Sequence, residues 1–274
     1  MGDPILSVVT GTRNRPESIA RMARSVLAHT GVPFEMLIGD ASDGGPSFAS
    51  DDPRVHVHRE APPLGPPRGY NALFRRARGA WACFLNDDLE VRPGWDEAVL
   101  AAAARYPKAD LLCLPVVEPG YPAPLVLLYL GIPYACMGAI RREAGEALGW
   151  FDEGFEFYAT DPDFALRVVS AGRGLAPVPG AHVLHHRLAD ALRVVNRSRF
   201  ERDNARLGRR WHAKRRALRR QYRRSSFRNF RGLETLWCEP YRTFALELPV
   251  DTAQPAQRVR NPHRVKAHGW WLGI

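Results

Sequence analysis

The hydrophobic pattern of this chain changes period repeatedly, and each change marks an element. A short β-branched run over residues 5–10 predicts a strand. Ile19, Met22, Ala23, Val26 and Leu27 recur at helical spacing, and Pro16 suits a first turn, so residues 16–29 read as an amphipathic helix. Strands follow at 34–39 and, with alternating polarity, at 54–58. Pro62 to Pro67 reads as a stiff loop, and Asn71 to Arg78 as a short basic helix closed by Gly79. Trp81 to Leu85 is unbroken apolar sequence, the mark of a strand covered on both faces. Pro93 opens an Ala-rich helix that runs to Arg105. This β-α-β-β-α-β-α order predicts an α/β fold, a Rossmann-like, mostly parallel central sheet with helices on both faces.

The second half is mixed. Strands are expected at 111–117, 125–130 and 136–141, with a helix at 142–148. An aromatic loop, Trp150 to Phe155, precedes a helix that Thr160 or Asp161 can cap, with Pro162 in its first turn and Gly172 at its end. Short strands are expected at 175–178 and 181–185.

Composition alters this picture at one place. The 274 residues carry a net charge of +10 and a pI of about 9.9. Between Asn196 and Arg231 lie fifteen Lys or Arg against two acids, Glu201 and Asp203, or +13, which leaves the rest of the chain near −3. We divide the chain there: 1–195 as a catalytic domain, with halves 1–92 and 93–195, and 196–274 as a basic helical extension and tail. Phe200, Leu207, Trp211 and Leu218 are spaced to pack that extension down. The remaining cations call for an anionic partner, and peripheral contact with an anionic membrane is one expectation. The four cysteines lack C-x-x-C spacing and read as reduced. There is no signal-peptide pattern, Leu6 breaks a myristoylation motif, and Pro124 and Pro133 interrupt the most apolar stretch, so a cytoplasmic protein is expected.

The candidate chemistry sits at the end of the buried strand, at Asn86-Asp87-Asp88. Adjacent carboxylates there are costly without a cation, and open α/β sheets bind ligands at the carboxyl ends of their strands. A divalent cation carrying a diphosphate fits this place, although Asp pairs also serve simple turns. Neither G-x-G-x-x-G nor a Walker motif is present.

Six segments, in order, resemble glycosyltransferase family 2. Ser7 to Thr10, with Thr12, is similar to that family's opening strand. Leu37 to Ser42 resembles V-D-D-G-S, with Gly39 in place of the first Asp. Gly65 through Asn71 to Ala80 resembles its Gly-to-Arg-Asn segment, without an Arg directly before Asn71. Phe84-Leu85-Asn86-Asp87-Asp88 resembles F-L-D-D-D, with Asn in the first place. Tyr158 to Arg167 resembles Y-x-E-D-x-D-L-x-L-R, with Thr160 for Glu, and His182 to His186 resembles V-x-H-H. The match covers residues 5–187.

The resemblance implies a GT-A fold and transfer of a sugar from a nucleotide-diphosphate sugar to a hydroxyl of a glycan, lipid-linked or other acceptor, with inversion. It implies Mn²⁺ or Mg²⁺ held by Asp88 and His185; a carboxylate with an imidazole suits Mn²⁺ better. It implies donor contacts from Thr10, Thr12, Asp40, Arg68, Asn71 and Asp87, and Asp161 as the base, kept ionised by a helix N-terminus. Asp40 is weighed against an Asx-turn role, Arg68 against a solvated loop residue, and Trp150, Phe151 and Phe155 against core packing. Asp163 is read as a partner of Arg167, and alternation argues against His182 and His186 as ligands. Two alternatives stand: a sugar-phosphate nucleotidyltransferase, disfavoured by the Gly-poor loop 11–15, and a nucleic-acid-binding protein, which leaves the Asp clusters unexplained.

Overall fold

The computed structural model describes residues 2–117, 124–186, 197–230, 234–237 and 242–245. Its first sheet is built from β1 (Leu6–Thr12), β2 (Phe34–Asp40), β3 (Val55–Arg59), β4 (Trp81–Phe84), β6 (Ala109–Cys113), β10 (Gly138–Arg141) and β11 (Gly174–Pro177). The order is β11-β6-β10-β4-β1-β2-β3, and only β10 runs antiparallel to its neighbours. Alternate residues of the strands feed two cores. Val8, Met36, Ile38 and Cys83 pack with α1 (Pro16–His29) and α3 (Trp95–Arg105). Val9, Leu37, Ala82 and Phe84 pack with α2 (Pro66–Phe74) and α5 (Thr160–Ser170). The expected mostly parallel sheet with helices on both faces is what forms.

A second sheet contains β5 (Leu89–Val91), β7 (Val116–Val117), β8 (Leu125–Tyr129), β9 (Ile132–Tyr134), β12 (Val183–His185), β13 (Glu234–Trp237) and β14 (Arg242–Ala245). The expected strand at 111–117 is therefore two. Its first part pairs in the central sheet, and beyond Leu114-Pro115 the chain crosses to the second one. Val183 and His185 lie opposite Val91 and Leu89, which carries β12 to the turn that bears Asp87 and Asp88.

Three helix starts differ from expectation. α3 begins at Trp95, not Pro93, behind Gly94, which turns at φ 81°. α2 begins at Pro66, not Asn71, and ends at Phe74. Gly65 holds φ at 80°, a value costly for other residues, and Pro66 and Pro67 then suit a first turn whose N–H groups lack helical partners anyway. The chain beyond is drawn away by buried Glu35, which accepts from the Arg78 backbone N–H (2.7 Å) and guanidinium (2.8 Å). α5 has no side-chain cap: neither Thr160 nor Asp161 fills that role, and Ala159 turns at φ 64°.

The basic segment forms α6 (Arg197–Trp211) and α7 (Arg215–Ser225). Leu207, Trp211, Leu218 and Tyr222 lie in the same core as Phe151 and Phe164. Residue 196 thus marks a change in charge, not a break in packing. Phe200 is only half-buried. The tail that carries Trp270-Trp271 lies outside the described residues. Among the described residues no helix is long and apolar enough to cross a membrane.

Candidate active site

A cleft of about 370 Å³ opens at the carboxyl ends of β1, β2 and β4. Thr12, Asp87, Asp88, Asp161 and His185 line it, together with Glu60, Tyr70, Arg199 and Phe200. Five of the nine assigned residues thus meet on one surface, although 173 positions separate the first from the last.

At its floor, Asp88 and His185 come from the turn after β4 and from β12. Asp88 Oδ2 lies 3.3 Å from His185 Nε2, and both residues are buried. The His186 backbone N–H donates to the Asp88 carbonyl at 2.8 Å, which locks strand to turn. His182, Leu184 and His186 are half-exposed while Val183 and His185 are buried, so alternation sets the other two histidines on the opposite face. His186 pairs with Glu90 instead (2.9 Å).

Asp87 accepts from Thr12 Oγ1 (2.8 Å) and from the Arg15 guanidinium (3.0 Å). Burial nonetheless raises its pKa. The neighbouring Asp88 charge acts in the same direction, and Arg15 offsets only part of it. A cation or a hydroxyl donor in the cleft relieves that penalty. Tyr70 donates to the Leu85 carbonyl at 2.8 Å, and burial pushes its phenol up.

Asp161 stands on the first turn of α5, part-exposed to the cleft. Burial of its carboxyl lifts the pKa to about 7, against small opposing effects of its own backbone N–H and of Cys136. The expected ionisation by the helix N-terminus does not prevail, because burial outweighs the one turn of aligned amides. Asp163, two residues on, is fully buried and structural. It accepts from Arg167 Nε and Trp211 Nε1, both at 2.8 Å.

Four assigned residues lie off the cleft surface. Thr10 is buried beneath it. Asp40 is also buried, and its carboxylate accepts from the backbone N–H groups of Ser42 (2.9 Å) and Ser47 (2.5 Å) and from Ser47 Oγ (3.0 Å), the turn role weighed above. Asn71 bridges the Phe151 backbone, donating to its carbonyl and accepting from its N–H, each at 2.9 Å. Arg68 is exposed and reaches Glu153 at 3.8 Å. Trp150 stacks on Phe74 at 4.6 Å, and Phe151 and Phe155 are buried, so the aromatic loop is core.

Sequence reasoning missed two groups. Asp203 on α6 is buried and accepts from three successive backbone N–H groups, those of Glu156 (3.0 Å), Phe157 (2.9 Å) and Tyr158 (2.7 Å). It holds the cleft wall in which Tyr158 meets Phe200 edge to face at 5.3 Å. Its place as one of two acids, with Glu201, among so many arginines is its only signal in the sequence. Glu60, just past β3, lines the cleft with one long hydrogen bond, 3.4 Å from the Leu64 N–H.

The donor set at the floor suits a hard or borderline divalent ion: a carboxylate and an imidazole within reach of each other, with room in the cleft for ligand oxygens. Among the described residues no three His, Cys, Asp or Glu side chains converge, so such an ion would need oxygens from the substrate to complete its shell.

Comparison with known proteins agrees with the geometry. A family model described as Glycosyl transferase family 2 matches residues 7–144. The O-antigen biosynthesis protein RfbC of Myxococcus xanthus is 27% identical over 70% of this chain and 18% of its own length. An uncharacterized protein of Sinorhizobium fredii is 27% identical over 77% of this chain and 28% of its own, so the chain spans less than a third of either relative. The N-acetylglucosaminyl-diphospho-decaprenol L-rhamnosyltransferase of Mycobacterium tuberculosis is 26% identical, over 67% of this chain and 76% of its own. Crystal structures of TarS from S. aureus share the fold. One superposes with a TM-score of 0.53 at 17% identity, over 71% of this chain and 39% of that one, and a complex with UDP-GlcNAc gives 0.52 over 65% and 57%.

Proposed function

The chain belongs to glycosyltransferase family 2, and on that premise we propose that it moves a sugar from a nucleoside-diphosphate sugar to a hydroxyl of a lipid-linked or polysaccharide acceptor, by one displacement with inversion. The observation that carries this reading is the meeting of Asp88 and His185 with Asp161 on one cleft. The relatives named for O-antigen assembly and for a decaprenol-linked acceptor support the acceptor class. The UDP-GlcNAc complex of TarS supports the donor class.

Asp88 and His185 would hold a divalent ion, which neutralises charge on the leaving diphosphate. Arg15 and Thr12 orient the Asp87 carboxylate toward donor hydroxyls, and Arg13 and Arg199 also line the cleft. Asp161 takes the proton from the acceptor hydroxyl. As that O–H bond breaks, the acceptor oxygen bonds to the anomeric carbon and the diphosphate departs on the opposite side. A carboxylate with a pKa near 7 is matched to this work, since it is basic enough to accept the proton and still ionised in a useful fraction at neutral pH. Tyr158 and Phe200 offer an aromatic wall for the acceptor.

The test is hydrolysis and transfer from a panel of UDP-, dTDP- and GDP-sugars with Mn²⁺ or Mg²⁺. Metal-dependent release of a nucleoside diphosphate is expected. Pyrophosphate-dependent conversion of a donor to nucleoside triphosphate and sugar 1-phosphate, or no turnover of any donor, contradicts the reading.

A further inference from the structure

The cations of the basic segment fall into two sets. On α6, Arg202, Arg206 and Arg210 are matched to acids: Arg202 to Glu156 (2.8 Å), Arg206 to Asp152 (3.3 Å), and Arg210 to Asp152 (2.5 Å) and Asp163 (3.2 Å). Six on and just beyond α7 are not. Arg215, Arg216, Arg220, Arg223, Arg224 and Arg228 are exposed and form no ion pair among the described residues. The inner face of the same helix is anchored by buried Leu218 and Tyr222. Phe227, 52% exposed, stands among these arginines. A polyanion in water would gain from the arginines alone, whereas a lipid surface also takes up the ring.

We propose that the outer face of α7 docks on an anionic lipid bilayer, with the arginines at the headgroups and Phe227 inserted between them. α7 packs on α5, whose first turn carries Asp161, so docking would fix the cleft relative to the surface. The test is flotation of the full chain with phosphatidylcholine vesicles, with and without phosphatidylglycerol. Binding is expected only with the anionic lipid and is lost at high salt. Arg220→Gln with Arg224→Gln should weaken it more than tenfold, at about fivefold per arginine. Phe227→Ala should weaken it without changing the salt dependence. Unfolding temperature and turnover with a water-soluble acceptor should stay unchanged. No binding at low salt, equal binding to neutral vesicles, wild-type binding by the double variant, or tighter binding to duplex DNA than to the vesicles overturns the proposal.

A second observation concerns position 39. A Cβ on Gly39 or on Gly69 would meet Glu60 Oε1 at 2.6 Å. The Glu60 carboxylate therefore fills the space that side chains at both positions would take, including the Asp that the family pattern places at 39. Asp40 is already occupied by three donors. Glu60 follows β3, three strands from β4, or about 14 Å from the diphosphate end at ~4.8 Å per strand. If the diphosphate of the proposed donor lies at Asp88, that distance matches the base end of the nucleotide and is far enough to avoid repelling phosphate.

The geometry points to Glu60 as the acceptor for the ring N–H of the donor's base, which favours uracil, thymine or guanine over cytosine. This deepens the proposed function and rests on it. Thermal stabilisation by UDP, GDP and CDP separates the two. Glu60→Gln keeps the shape but adds a donor. It should weaken the UDP or GDP that wild type prefers about tenfold or more, and should gain affinity for CDP, whose N3 accepts. Unchanged selectivity with UDP or GDP still binding overturns this inference alone. No stabilisation of wild type by any of the three overturns it together with the donor cleft.

Discussion

Asp88 Oδ2 lies 3.3 Å from His185 Nε2, across 97 positions of sequence. The contact exists because β12 pairs antiparallel with β5, directly after the Asp87-Asp88 turn. If the pair binds the ion that assists departure of the diphosphate, EDTA should abolish transfer. Asp88→Ala should do the same, by about 10²-fold or more, with the circular dichroism spectrum unchanged. Full activity of either sample removes the metal from the account.

Asp203 joins the basic helix to the cleft wall through three backbone N–H groups. Asp203→Ala leaves those part-buried donors without their carboxylate. It should cost about 2–4 kcal/mol of stability in urea titration, and should raise KM for the acceptor more than KM for the donor. Equal changes in both would make its role purely structural.

The pKa of Asp161, raised to about 7 from 3.8, has a signed consequence. The folded chain holds this proton more tightly than the unfolded chain. The resulting stabilisation is complete below pH 3.8 and is lost as pH rises through about 7. Asp161→Asn should therefore be more stable than wild type at pH 8, by about 2–4 kcal/mol, and equal to it near pH 4. In catalysis the sign reverses: kcat/KM should fall about tenfold per unit below pH 7 as the base takes up its proton.

The central sheet was legible in sequence because its strands are covered on both faces, and the strand ends followed with it: Asp87, Asp88 and His185 line one cleft. Local rules failed where distant partners override them. Pro62 to Pro67 read as loop, yet two of its prolines open α2 once Gly65 supplies the turn. Thr160 read as a cap, yet Asp203, far along the chain, holds the backbone before it. The ionisation of Asp161 read as a helix-end effect, yet burial by the folded wall decides it. Glu60 gave no signal at all, because its meaning lies in two glycines that only the fold brings against it.

The central claim is that Asp161 is the base of a sugar transfer. The most direct measurement is the turnover of Asp161→Asn at pH 8, with donor affinity measured on the same sample. The account predicts turnover lower by about 10²–10⁴-fold, with donor affinity within about twofold of wild type. Near-normal turnover would contradict it.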